Sequence, residues 1–306
     1  MTDRHFIIGA GPVGRHVAEA LAARGSEVVV ATRSGTDTGI EGVQHLSLDA
    51  SDATALSAAV QGSSVLYNCA NPGDYTGWEE FWPPLAASIL AAAERSGAVL
   101  AITGNLYPYG PLDEPMVEGM PDAATDHKGI LRAKMWADAK AANDAGRLRA
   151  VEVRGSDYVG RGVGDNGHIT RVIPAALAGK TVRVMDDANQ PHSWTDVYDE
   201  ARALIAAAEN EQAWGHIWHA PTNAPRTAAE AINDVLASVG KPAVNVKRYP
   251  LVMTRSLARV NGLFRELNET SYQRSAPYVL DSSRSEKVLG LSPSPWDEVC
   301  RRSAEQ

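Results

Sequence analysis

Short apolar runs alternate with alanine-rich stretches of helical period through the first half of the chain. HFIIGA, SEVVVAT, HLSLD, SSVLYNCA, AVLAITGN and LRAVEVRG are the runs; VAEALAARG, ATALSAAV, PPLAASILAAAERSG and KGILRAKMWADAKAANDA fall between them. Strands alternating with helices predict βαβ units and a parallel sheet. The first run is apolar throughout rather than at every second position, and its successors share the tendency, as in strands covered by helices on both faces. The predicted class is therefore α/β with a doubly wound parallel sheet.

Between Tyr107 and Pro121 the text becomes YPYGPLDEPMVEGMP, too rich in Pro, Gly and acid to continue a helix or a central strand. It predicts a long loop at the carboxyl edge of the sheet. A helix follows from about Lys128 to Ala145, closed by Gly146. From Gly160 the period is less regular: the short strands TVRVM and GHIWHA and the helices YDEARALIAAAEN and AAEAINDVLASVG predict a smaller lobe. The expected division is a dinucleotide-binding domain over 1–160 and a mixed substrate lobe over 161–306, interleaved with the end of the main sheet.

Composition narrows the function. At 306 residues, 44% hydrophobic and 22% charged, the chain supports a large core and fits neither a disordered nor a membrane protein. Twenty-nine basic against 37 acidic residues leave a net charge of -8, and the basic ones are scattered, which argues against nucleic acid and anionic membrane as partners. Cys69 and Cys300 have no metal-ligand spacing, so free thiols in a reducing cytoplasm and no metal site are expected. The opening residues MTDRHFIIGA lack the order of a signal peptide, and no apolar run reaches membrane-span length.

Gly9, Gly11 and Gly14 form G-x-G-x-x-G directly after the first strand and before a helical pattern, the context that a dinucleotide site requires. The first glycine permits the tight turn, the second lets the backbone approach a pyrophosphate, and the third allows close helix packing. Pro12 and Val13 lie within the motif, and Ala70 ends the fourth strand beside it. Where an acid would grip the ribose of NAD(H), Thr32, Arg33 and Ser34 stand instead; a guanidinium pairs with a 2'-phosphate, so NADP(H) is expected ahead of NAD(H). Asp49 reaches the adenine region or caps the next helix.

With these features the sequence resembles the extended and atypical short-chain dehydrogenase/reductases, the NAD-dependent epimerase/dehydratase family. The likeness rests on the glycine turn, LYNCANP, PYGP, RGSDYVG, QPHSWTDVYDEARA and VLDSSRSEKVLGLSP. It implies a Rossmann domain with a smaller C-terminal substrate lobe. The family's catalytic set is a Ser or Thr before a Tyr-Gly pair and a Tyr-x-x-x-Lys about 25 residues later. Aligned on Tyr109-Gly110, Asn105 takes the Ser/Thr place, Ile130 the tyrosine place and Lys134 the lysine place, where it would hold the nicotinamide ribose. Isoleucine transfers no proton, so the donor is expected elsewhere: Tyr107 foremost, at a strand's carboxyl end, with Tyr109, His127, Lys128, Asp157, Tyr158 and His168 as the alternatives. Tyr109, Asp157, Tyr158, His168, His192 and Trp194 are the candidate substrate residues. His192 stands where nucleotide-sugar members carry a diphosphate-gripping Arg, which points away from such sugars. Trp78, Trp82, Trp136 and Trp194 either line a cleft for an apolar or aromatic molecule or fill the core. The expected function is an NADP(H)-dependent oxidoreductase on a small metabolite, with an epimerase or dehydratase, or a non-catalytic NADP(H)-binding redox sensor, as alternatives. A homodimer through the helices at Pro84–Ser96 and Lys128–Ala145 rests on family analogy.

Overall fold

In the computed structural model, which describes residues 3–72, 77–249 and 269–305, the first half of the chain folds as strand and helix in turn. It runs β1 (Arg4–Ile8), α1 (Pro12–Ala23), β2 (Glu27–Thr32), β3 (Val43–Ser47), α2 (Ala53–Val60), β4 (Val65–Asn68), α3 (Trp78–Ser96), β5 (Val99–Asn105), α4 (His127–Asp144) and β6 (Arg149–Gly155). Successive residues of a strand point to opposite faces, and here both faces are dry. Ile7, Val28, Val30, Val65 and Val99 join one core with Val17 and Leu21 of α1. Phe6, Ile8, Val29, Leu66 and Leu100 join the other, under Leu56 of α2, Ile89 of α3 and Trp136 of α4. Each buried aliphatic side chain contributes about 1.5–3 kcal/mol, which is why these strands tolerate no alternating polar positions.

The second half builds the lobe and returns to the sheet. It runs β7 (Asp157–Val159), α5 (Ile173–Leu177), β8 (Val182–Val184), β9 (Trp194–Asp196), α6 (Val197–Glu209), β10 (Ile217–His219), α7 (Ala228–Ser238), β11 (Val246–Arg248), α8 (Tyr272–Ser275), α9 (Ser283–Leu289) and α10 (Trp296–Ala304). Pairs β7–β9 and β8–β11 form two small parallel ribbons, and a third core gathers Ile173, Val184, Trp194, Ile232, Leu236 and Val299. GHIWHA leaves the lobe: its strand β10 pairs with β6 at the edge of the main sheet, and α6 packs over β5 and β6.

The main sheet is parallel throughout, in the order β10-β6-β5-β4-β1-β2-β3. The order reverses between β1 and β4, and ligands of such sheets bind outside the carboxyl ends of the strands at that reversal. Among the described residues no helix is long and apolar enough to cross a membrane, and no group of three or more His, Cys, Asp or Glu side chains could hold a metal ion.

Candidate active site

A cavity of about 550 Å³ opens at the reversal point, walled by the turn after β1 and the ends of β2, β4, β5 and β6. Gly9 turns the chain at φ 97°, and a methyl on it would lie 2.7 Å from the Cys69 carbonyl oxygen. A methyl on Gly14 would collide with the Gly9 carbonyl, so this glycine is what seats α1 against the turn. Gly11 differs: it is exposed, lines the cavity, and has nothing within 4 Å of its missing Cβ. That open space, at a helix N-terminus with no side-chain cap, fits a pyrophosphate approaching the backbone. Pro12, Val13 and Ala70 complete this wall.

At the β2–β3 corner Thr32, Arg33 and Asp49 line the cavity, whereas Ser34 does not. The Ser34 hydroxyl is 2.6 Å from that of Thr36 and belongs to the turn. Asp49 accepts hydrogen bonds from the Ser51 hydroxyl (2.7 Å) and amide (3.0 Å), which hold its carboxyl below its ordinary pKa.

The opposite end is built by β5, β6 and α4. Asn105 accepts from the Tyr107 amide at 3.2 Å, and Tyr107 stacks on Trp78 with ring centroids 6.2 Å apart; all three line the cavity. Tyr109 does not. It is fully buried, its hydroxyl 3.0 Å from His219 Nε2 and its ring beneath the Arg154 guanidinium, and burial pushes its phenol up to about 12. Arg154 also pairs with Asp122 and Glu152, so Tyr109 belongs to the anchorage of the long loop on β6. Trp82 and Trp136 are core residues. Cys69 lines the cavity, but burial pushes its thiol up to about 12, which excludes a ready thiolate.

On α4 the helical phase differs from the expected one. Ile130 is 52% exposed, and Lys134 is exposed and paired with Asp138 at 2.8 Å, so neither reaches the cavity. The inward face carries Lys128 and Arg132, also four apart. Arg132 lines the cavity, donates to the Thr103 carbonyl at 2.7 Å and lies over the Trp82 ring; Lys128 is buried and donates to Glu269 at 2.9 Å.

The model of the NAD dependent epimerase/dehydratase family matches residues 6–219, more than half of the chain. The protein belongs to this family. No curated protein matches its sequence. Similar solved structures include MoeE5 in complex with UDP-glucose and NAD (18% identity, TM-score 0.78, 99% of this chain and 97% of that one). UDP-glucuronic acid 4-epimerase from Bacillus cereus in complex with NAD follows at 16% identity and a TM-score of 0.78, with 99% and 97% covered. A double mutant of DesIV, the dTDP-glucose 4,6-dehydratase from Streptomyces venezuelae, with NAD and DAU bound, gives 18% identity and a TM-score of 0.77 over 98% and 95%. At these identities the likeness is one of fold.

Against the family's Tyr-x-x-x-Lys, this epimerase/dehydratase-family member therefore presents Lys128 and Arg132 on the inward face of α4. No phenol projects from that helix turn. At the substrate end Asp157 and Tyr158 line the cavity, together with Gln273 and Tyr278 from the late part of the chain. His192, His168 and Trp194 sit behind Asp157 around a separate small pocket with Arg274. His192 Nδ1 bonds the Gln273 carbonyl (3.1 Å) while Nε2 lies 3.1 Å from Asp157 Oδ2, off the ideal hydrogen-bond direction. Burial pushes the Asp157 carboxyl up, but the neighbouring His192 outweighs it and holds the group well below the usual carboxylate range. Arg132, Gln273, Tyr278 and the buried Glu200 of α6 escaped the sequence reading. For Arg132 a signal existed: stepping back by four from the apolar Trp136 reaches Arg132 and then Lys128.

Proposed function

We propose that this family member is an oxidoreductase that binds NADP(H) and reduces a carbonyl of a small, apolar or aromatic metabolite. One observation carries the reading: a single cavity runs from the open cradle at Gly11 past Arg33 on one side and to Asn105, Tyr107, Arg132 and Tyr158 on the other. The residues fit a dinucleotide. Gly11, Pro12 and Val13 would hold its pyrophosphate, and Arg33 with Thr32 would meet a 2'-phosphate. When bound, the reduced cofactor supplies a hydride. Asn105 and Arg132 would orient and polarise the substrate oxygen, and the aromatic wall of Trp78, Phe81 and Tyr107 would exclude water from it.

A second reading, epimerisation or dehydration through transient oxidation, is supported by the solved relatives named as a 4-epimerase and a 4,6-dehydratase, both with NAD, and by MoeE5 with UDP-glucose and NAD. It needs a base to start the oxidation. At the inward tyrosine place, however, stands Lys128, engaged with Glu269. Cofactor stoichiometry separates the two: a reductase consumes one NADPH per product, whereas an epimerase consumes none. Net oxidation of NADPH with aromatic aldehydes supports the first reading. Conversion of UDP-glucose with no net change in added NAD(P)H absorbance would replace it with the second.

A further inference from the structure

The cavity lacks an acid where its family carries one, yet a phenol does reach the end of β5 from another direction. Tyr158, on β7, lines the cavity and donates its hydroxyl to the Gly104 carbonyl at 2.8 Å. Gly104 lies between Thr103, whose carbonyl holds Arg132, and Asn105, so phenol, guanidinium and amide are gathered on three consecutive residues. The chain makes room for this. A methyl on Gly155 would come within 2.6 Å of the Tyr158 ring, and the glycine there lets the ring fold back over the end of β6. Behind the phenol stands Glu200 of α6, wholly buried, with neither carboxyl oxygen receiving a well-directed hydrogen bond.

We propose that Tyr158 is the proton donor of this active site, backed by Glu200 as its proton reservoir and positioning residue and faced by Arg132. The assignment rests on the oxidoreductase reading above. With the phenolic hydrogen on Gly104 and no well-directed bond joining Tyr158 to Glu200, the reservoir role requires a neutral Glu200 carboxyl to donate to the phenol oxygen. Burial foremost pushes the Glu200 carboxyl well up, against the lowering pull of the neighbouring Tyr158 and Arg132 and with the help of the Glu152 charge, which favours its protonated form. Burial likewise holds Tyr158 well above the ordinary phenol value, while the Arg132 charge works the other way and steadies the phenolate once it forms. A phenol held neutral is suited to give a proton rather than take one, which favours reduction.

The substrate carbonyl carbon takes up a hydride from a reduced nicotinamide, which is thereby oxidised; the C=O π bond breaks and its electron pair goes to oxygen. The Tyr158 O–H bond breaks and a new O–H bond forms on the substrate. The carboxyl proton of Glu200 passes to the phenolate, and water reprotonates Glu200 when the alcohol leaves.

The test joins turnover of benzaldehyde with NADPH to infrared difference spectroscopy of the unliganded protein. Tyr158→Phe is expected to lower turnover by about 10²-fold or more with NADPH affinity unchanged. Wild type is expected to lose activity as alkaline pH strips its reservoir and Glu200→Gln to lack that alkaline limb, a change that a purely structural role would not produce. The spectrum of wild type should hold a neutral-carboxyl band that Glu200→Gln deletes and Tyr158→Phe displaces. Tyr158→Phe retaining more than half of the turnover, or wild type lacking the band, overturns the proposal. A protein that binds no NADPH overturns the oxidoreductase reading instead, and the band still decides the Glu200–Tyr158 pair.

Discussion

A methyl group at Gly11 would stand in open space, whereas at Gly14 it would run into the Gly9 carbonyl. The two glycines therefore separate binding from folding. Gly14→Ala is expected to destabilise by about 1–3 kcal/mol, seen as a lowered melting temperature without ligand. Gly11→Ala should melt like wild type and lose at least about tenfold in NADPH affinity, because it fills the pyrophosphate approach. Arg33 gives a second contrast. It lines the cavity, and a charge-assisted bond to a 2'-phosphate contributes about 1.5–3 kcal/mol. Arg33→Ala should weaken NADPH by about 10- to 100-fold and leave NADH unchanged; equal losses for both nucleotides would remove Arg33 as the phosphate reader.

Helix α4 shows how a shift of two residues changes a site. Two residues rotate a helix by about 200°, so the expected pair Ile130 and Lys134 faces outward and Lys128 and Arg132 face inward. The family spacing of about 25 residues was too loose to settle the phase. The apolar stripe settles it, since Arg132, Trp136, Ala139 and Ala142 are buried in steps of four and three. Two cations lead that stripe, and an interior position for a cation is acceptable only with a partner. Arg132 has the Thr103 carbonyl and Lys128 has Glu269, and neither partner adjoins its cation in sequence. Lys134→Ala should change stability by less than about 0.5 kcal/mol, as expected of an exposed pair. Lys128→Met should cost about 3 kcal/mol, read as a lower denaturation midpoint, because Glu269 keeps its charge while losing a buried ammonium.

At the scale of the whole molecule, the substrate lobe makes the fold sensitive to acid. Burial, outweighing the nearby Asp157, pushes His168 down to about 3, against about 6.5 in an unfolded chain. The unfolded state binds the proton first, so this contribution is complete above about pH 6.5 and is lost as pH falls toward the folded value. The ring is half-buried and stacked on Trp194, so the loss between pH 7 and pH 5 should be about 1 kcal/mol, and His168→Gln should remove it from a series of thermal melts. The sequence by itself determined the parallel doubly wound sheet and the glycine turn, because strand period, helix period and turn chemistry act over a few residues; it named Arg33, Asn105, Tyr107, Asp157 and Tyr158, and packing set them along the cavity. Only the tertiary structure decided that Tyr109 is an anchor, that Ser34 closes a turn, that His168, His192 and Trp194 stand behind Asp157, and that Arg132 and Tyr158 meet on adjacent carbonyls at the end of β5. These are contacts between segments far apart in the chain. The phase of a helix, the side of the sheet it covers and the burial that pushes a carboxyl's pKa up are set only when those segments pack.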